Sequence, residues 1–263
     1  MTVQAMSVLL EVDDGVATLT MNDAARRNAM TPELGIALRE RVEELRGRSD
    51  VRAVLLTGAG GTFSAGGDLQ MLDRLRQVPF EEARLFMLEF YSRYLCLLDL
   101  PVPTLAAVEG AAIGAGLCVA LACDLVIASE DAKLALNFVQ LGLHPGMGAT
   151  FLVPLRAGPQ RAAELLLTGR RFDGREAARL GLALEATPAD QTRTRASTLA
   201  RTIASNAPLA TRGLKQRLGL DRAALRRALE EEARLQAESY GSADLGEGLA
   251  AAAARRPPVF HGR

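Results

Sequence analysis

The sequence predicts an α/β fold with a helical C-terminal part, and three observations predict it. Short apolar runs alternate with helical stretches over roughly the first 190 of 263 residues. Two of those runs enter small-residue turns that open helices, within 53–69 and 104–117. From Pro145 onward nearly every segment carries helical periodicity. The expected organisation is a core over 1–190 and a helical region over 191–263.

Each element has its own signal. Val8 to Val12 and Val16 to Met21 read as strands joined at Asp13-Asp14-Gly15, a hairpin pattern. Thr31-Pro32-Glu33 starts a helix, with Thr31 as N-cap and Leu34, Leu38, Val42 and Leu45 on one face. Ala53 to Thr57 is a short apolar strand, and Phe80 to Leu98 is helical until Pro101 and Pro103 break it. Thr104 to Val108 and Asp124 to Ala128 are further strands, with a helix after Gly116 between them. Asp124 reads as a buried carboxylate capping that helix. Pro159 starts one C-terminal helix, Asp173 caps another, and Asp221 caps a long Arg/Glu-rich one reaching Ser239. Leu214, Leu218, Leu225 and Leu229 give these last helices apolar faces that a small region cannot bury alone, so a neighbouring subunit is expected to cover them.

Composition excludes several functions. Lys plus Arg number 31 and Asp plus Glu 31, so the chain has no net charge with which to grip nucleic acid or anionic lipid. Met1 to Asp14 shows no secretory pattern, and the uncharged stretch Gly110 to Cys123 is too short and too Gly-rich for a bilayer. Cys96, Cys118 and Cys123 lack C-x-x-C spacing, which fits a reducing cytoplasm. With only His144 and His261, and no H-E-x-x-H, no metal is expected.

The chemistry lies in the two small-residue turns. One runs Phe63-Ser64-Ala65-Gly66-Gly67-Asp68-Leu69 and the other Gly110-Ala111-Ala112-Ile113-Gly114-Ala115-Gly116-Leu117. Backbone N–H groups at such turns are unobstructed and sit at helix N-termini, where they attract negative charge. Two of them converging on one point make an oxyanion hole. A dinucleotide fingerprint fails because Phe63 and Val119 stand where its third glycine belongs. A nucleophile elbow fails because Thr62 precedes Ser64 where glycine is required.

With those turns, Arg26-Arg27-Asn28-Ala29-Met30, Ala107-Val108-Glu109-Gly110, Ala122-Cys123-Asp124, Gly142-Leu143-His144-Pro145-Gly146, Leu167-Thr168-Gly169, Ala177 to Leu182 and the end Arg255 to Phe260 form an ordered series over almost the whole chain. In this the chain resembles the crotonase, or enoyl-CoA hydratase/isomerase, superfamily, and within it the ring-epoxide isomerases of phenylacetyl-CoA catabolism. The resemblance implies a spiral of ββα units with a helical trimerisation region, a homotrimer or dimer of trimers, and a coenzyme A thioester as substrate with no separate cofactor. It assigns the oxyanion-hole N–H groups to Gly67 and Ala115. It also implies acyl-CoA contacts from Ala65, Gly66, Asp68, Leu69 and Gly114, with Arg26 at a phosphate and Cys118, Phe138 and Gly146 around the acyl group. Asp68 is in addition a helix-start residue.

The sequence departs from that pattern where proton transfer belongs. The family's hydratases carry glutamates at the positions of Cys118 and Phe138, and isomerase relatives place an Asp at the position of Gly146. All three carboxylates are absent. A positioned acid/base contributes about 10²–10⁴ in rate, so the expectation is a poor hydratase with an apolar acyl pocket, acting as an isomerase or lyase through a thioester enolate. The alternative is an acyl-CoA-binding protein that has lost catalysis. His144, two residues before Gly146, is the expected replacement acid/base. The resemblance also places Asp73, Glu81 and Glu82 in a segment that is often mobile in relatives and could fold over the substrate.

Overall fold

A computed structural model of the chain describes residues 7–263; the part of the N-terminal expectation that concerns residues 1–6 lies outside them. Strands β1 (Val8–Asp13) and β2 (Val16–Met21) pair antiparallel, with Asp13 opposite Val16. Asp14 and Gly15 form the two-residue turn with φ of 46° and 76°, the left-handed geometry that matches strand twist. From β2 the sheet continues in parallel through β3 (Ala53–Gly58), β4 (Thr104–Val108), β6 (Leu125–Ser129) and β9 (Glu185–Thr187), in the order β1-β2-β3-β4-β6-β9. β3 and β4 are buried along their whole length, as strands covered on both faces must be. A second sheet orders β5 (Ala111–Ile113), β7 (Lys133–Ala135) and β8 (Arg171–Phe172).

One sheet face carries the main core. There α1 (Pro32–Leu45) buries Leu34, Leu38, Val42 and Leu45, and Thr31 Oγ1 accepts from Leu34 N at 3.2 Å. Helix α3 (Phe80–Leu95) packs beside it, and a 3-10 turn at Cys96–Asp99 takes over where the sequence reading continued the helix to Leu98. The other face is closed by α8 (Thr192–Ala204), whose Ala196, Ala200 and Ala204 lie against Val16, Leu55, Leu105 and Ile127. An alanine every fourth residue lets that helix approach the strands closely. The boundary drawn at residue 190 therefore falls just before a helix that completes the sheet's core.

Three readings need correction. The almost wholly helical reading after Pro145 misses β8 and β9, which at two and three residues are too short for any periodicity to register. Asp124 caps no helix; it accepts from Thr104 N at 2.7 Å and from Lys215 Nζ at 2.5 Å, tying β4 to α9 (Pro208–Leu218). Of the four leucines expected at an interface, Leu225 is buried and Leu229 packs against the core, whereas Leu214 and Leu218 are exposed. Among the described residues, no helix is long and apolar enough to cross a membrane.

Candidate active site

The two small-residue turns are laced together. Ser64 N donates to Ala111 O at 2.9 Å, and Ile113 N donates to Ser64 O at 3.1 Å. Gly66 has a φ of 89°, and a Cβ there would stand 2.5 Å from Ile113 O, so only glycine permits the approach. Beyond the first turn, Asp68 Oδ1 accepts from Met71 N at 2.8 Å and starts α2 (Leu69–Leu75). Beyond the second, Gly114 precedes α4 (Ala115–Ala122), whose first N–H groups have no partner within the helix. Neither Gly67 N–H nor Ala115 N–H donates to an acceptor among the described residues.

Both groups border one cavity of about 730 Å³. Ala65, Gly66, Asp68, Leu69 and Gly114 share its wall. Phe138 closes another side, with its ring edge 3.7 Å from where a Cβ of Gly114 would be, and Gly146 lines the cavity as well. At the exposed mouth stand Arg26, Arg27, Arg74 and Glu33. Arg26 Nε donates to Asp23 Oδ2 at 2.7 Å, with Nη2 2.6 Å from the same oxygen, and that pairing raises its pKa.

Two expected site residues lie elsewhere. His144 is outside the cavity wall; its Nδ1–H donates to the carbonyl of Pro145 at 2.7 Å, and partial burial lowers its pKa. That bond holds the imidazole against the backbone that leads to Gly146. Cys118 sits on the inward side of α4, fully buried, where desolvation pushes its thiol far up. Asp73 pairs with Arg76 and Glu81 with Arg84, and neither they nor Glu82 reach the wall.

Three polar residues that sequence reasoning missed complete the buried end: Tyr91 from α3, with Gln236 and Tyr240 from α10 (Arg222–Tyr240). Tyr91 Oη donates to Gln236 Oε1 at 2.7 Å, and Gln236 Nε2 donates to His144 O at 2.9 Å. Tyr91 shares a helix face with Met87, Phe90 and Tyr94, which reads as an ordinary core stripe. A signal did exist on α10, where Glu232, Gln236 and Tyr240 recur every fourth residue, but Arg and Glu all around that helix hide it.

The sequence pattern of the enoyl-CoA hydratase/isomerase family matches residues 11–263. The chain belongs to that family. It is 46% identical over 177 residues, 67% of its own length and 68% of the relative's, to the probable enoyl-CoA hydratase EchA14 of Mycobacterium tuberculosis. It is 34% identical to the 1,2-epoxyphenylacetyl-CoA isomerase of Escherichia coli, covering 97% of this chain and 98% of that one. The crystal structure of an enoyl-CoA hydratase/isomerase from Pseudoalteromonas atlantica superposes with a TM-score of 0.85 at 31% identity, over 97% of this chain and all of that one (100%). The fold is thus the crotonase spiral. Phe138 presents a ring to the cavity, and Cys118 is sealed behind α4. A Cβ at Gly146 would stand 2.5 Å from Tyr91 Oη and 2.6 Å from Gln236 Nε2. No aspartate fits there beside Tyr91 and Gln236 as they stand.

Proposed function

We propose that this protein binds an acyl-CoA thioester with its carbonyl oxygen between the N–H groups of Gly67 and Ala115, and that it acts as an isomerase or lyase and only poorly as a simple hydratase. The single observation that carries the reading is the pair of unpartnered backbone N–H groups, one from each of two interlocked turns, on the wall of one cavity. As the carbonyl takes on enolate character, both hydrogen bonds strengthen, and each such donor contributes about 10²–10³ in rate. Arg26, Arg27 and Arg74 at the mouth suit the phosphates of coenzyme A. The buried walls carry no carboxylate; Glu33 and Asp68 are the acidic residues on the cavity lining, one exposed at the mouth and the other committed to α2. Proton transfers are accordingly assisted by the substrate's own groups. Free, buried Cys96, Cys118 and Cys123 suit a reducing cytoplasm.

Crotonyl-CoA hydration tests the finer reading. The enzyme should bind butyryl-CoA, seen as a rise in thermal midpoint, yet hydrate crotonyl-CoA slowly. A kcat on the order of 10² s⁻¹ or more would overturn the claim that the missing glutamates matter. Turnover of no enoyl-, epoxy- or β-carboxyacyl-CoA, with binding retained, would instead favour the acyl-CoA-binding reading, which the absent carboxylates also support.

A further inference from the structure

The buried end of the cavity has more hydrogen-bonding capacity than the protein uses. Gln236 is fixed from two sides, accepting from Tyr91 Oη and donating to His144 O. Tyr240 is different: its hydroxyl has only Met87 Sδ as partner, at 3.2 Å. A thioether is a weak acceptor. Tyr240 is 2% exposed and Tyr91 1%, so bulk solvent has little access to either phenol. A buried O–H on so poor a partner gains free energy when an oxygen replaces the sulfur. Met87, Tyr91, Gln236 and Tyr240 all line the cavity, so that oxygen can arrive with a ligand.

The chemistry of the surroundings narrows which oxygen. Burial raises the pKa of both phenols far above the usual range, so they are neutral donors at any working pH. Every arginine on the cavity wall is at the exposed mouth. A carboxylate at the buried end would therefore lose its hydration without meeting a cation. A hydroxyl, carbonyl or epoxide oxygen carries no such penalty.

We propose that the Tyr240 hydroxyl, held in place beside the Tyr91–Gln236 pair, binds a neutral oxygen on the acyl group and makes this site selective for oxygen-bearing acyl thioesters over plain hydrocarbon ones. The inference rests on the reading that the cavity takes an acyl-CoA. A Cβ at position 146 would stand 2.5 Å from Tyr91 Oη and 2.6 Å from Gln236 Nε2, so this neutral polar pair fills the space that a side chain there would enter.

Calorimetric titration with hexanoyl-CoA and with its 3-, 4-, 5- and 6-hydroxy derivatives tests it. At least one hydroxy thioester should bind about fivefold tighter than hexanoyl-CoA, the worth of one neutral hydrogen bond. Tyr240→Phe, which keeps the ring, should abolish that ratio. Met87→Leu, which removes only the competing sulfur, should preserve or increase it, and this is a readout that loss of packing would not give. Equal affinity for all five ligands, or a preference that survives Tyr240→Phe, overturns the inference while leaving the thioester reading intact. Failure of hexanoyl-CoA itself to bind overturns both.

Discussion

Asn28 shows how one buried side chain fixes the first turn. It is fully buried and has a φ of 52°, a left-handed conformation that asparagine tolerates better than most residues. Its Oδ1 accepts from Asp23 N at 2.8 Å, and its Nδ2 donates to Ala59 O at 3.0 Å and to Thr62 O at 2.7 Å. The neighbouring backbone continues the clamp, with Ala65 N donating to Arg27 O and Met30 N to Gly66 O. Asn28→Ala removes three hydrogen bonds, strands their partners and leaves a residue ill-suited to that φ. The expected cost is about 2–4 kcal/mol in urea unfolding, together with weaker butyryl-CoA binding because the Gly67 N–H loses its support. A cost below about 0.5 kcal/mol, the level of an ordinary surface change, would mean that the turn holds itself.

At the scale of elements, Glu232 joins two helices. From α10 its Oε2 accepts from Gly148 N at 2.7 Å, and its Oε1 accepts from Thr150 N at 2.8 Å and Thr150 Oγ1 at 2.6 Å, capping the start of α5 (Ala149–Ala157) from outside. Burial outweighs those three bonds and pushes its carboxyl up to about 7. A carboxyl raised on folding keeps a proton that the unfolded chain has already released. Its contribution is therefore complete below about pH 4.5, declines as pH rises towards about 7, and is flat above that. At about 1.4 kcal/mol per pKa unit the decline amounts to some ~3 kcal/mol. Tyr91 and Cys118, the titratable groups that feel this carboxylate, are both held protonated by burial across the window. Unfolding of the wild type at pH 5 and pH 7.5 should lose more stability than that of Glu232→Gln over the same interval; equal losses would place the slope elsewhere. This element also marks the limit of what the sequence discloses. The hairpin, the Thr31 and Asp173 caps and the two glycine-rich turns are legible because they depend on neighbours in sequence. The absence of carboxylates at Cys118, Phe138 and Gly146 is likewise legible, but Tyr91, Gln236 and Tyr240 meet only through packing of α3 on α10, and the bond of His144 to Pro145 is set by the loop, so neither could be read from residue types alone.

On the scale of the whole molecule, α9 is a helix with little support from its own chain. None of its residues is buried, and Leu209, Leu214 and Leu218 are 85%, 59% and 80% exposed. Lys215 donates to Asp124 at 2.5 Å and ties the helix to the sheet without covering its leucines. Leu225 and Leu229 on the following helix resemble these leucines in sequence but find cover inside the subunit, which separates a face made for the core from one made for another surface. Apolar faces of this kind are stable in water when a second copy covers them. The expected state is a homotrimer or a dimer of trimers, so light scattering should return a threefold or sixfold multiple of the 28.0 kDa chain. Replacing Leu209, Leu214 and Leu218 together with Asp should shift the mass to that of a monomer and remove the concentration dependence of thermal stability that subunit association imposes. A wild-type monomer at micromolar concentration, or an assembly indifferent to those three substitutions, would show that α9 is not the surface through which the copies meet.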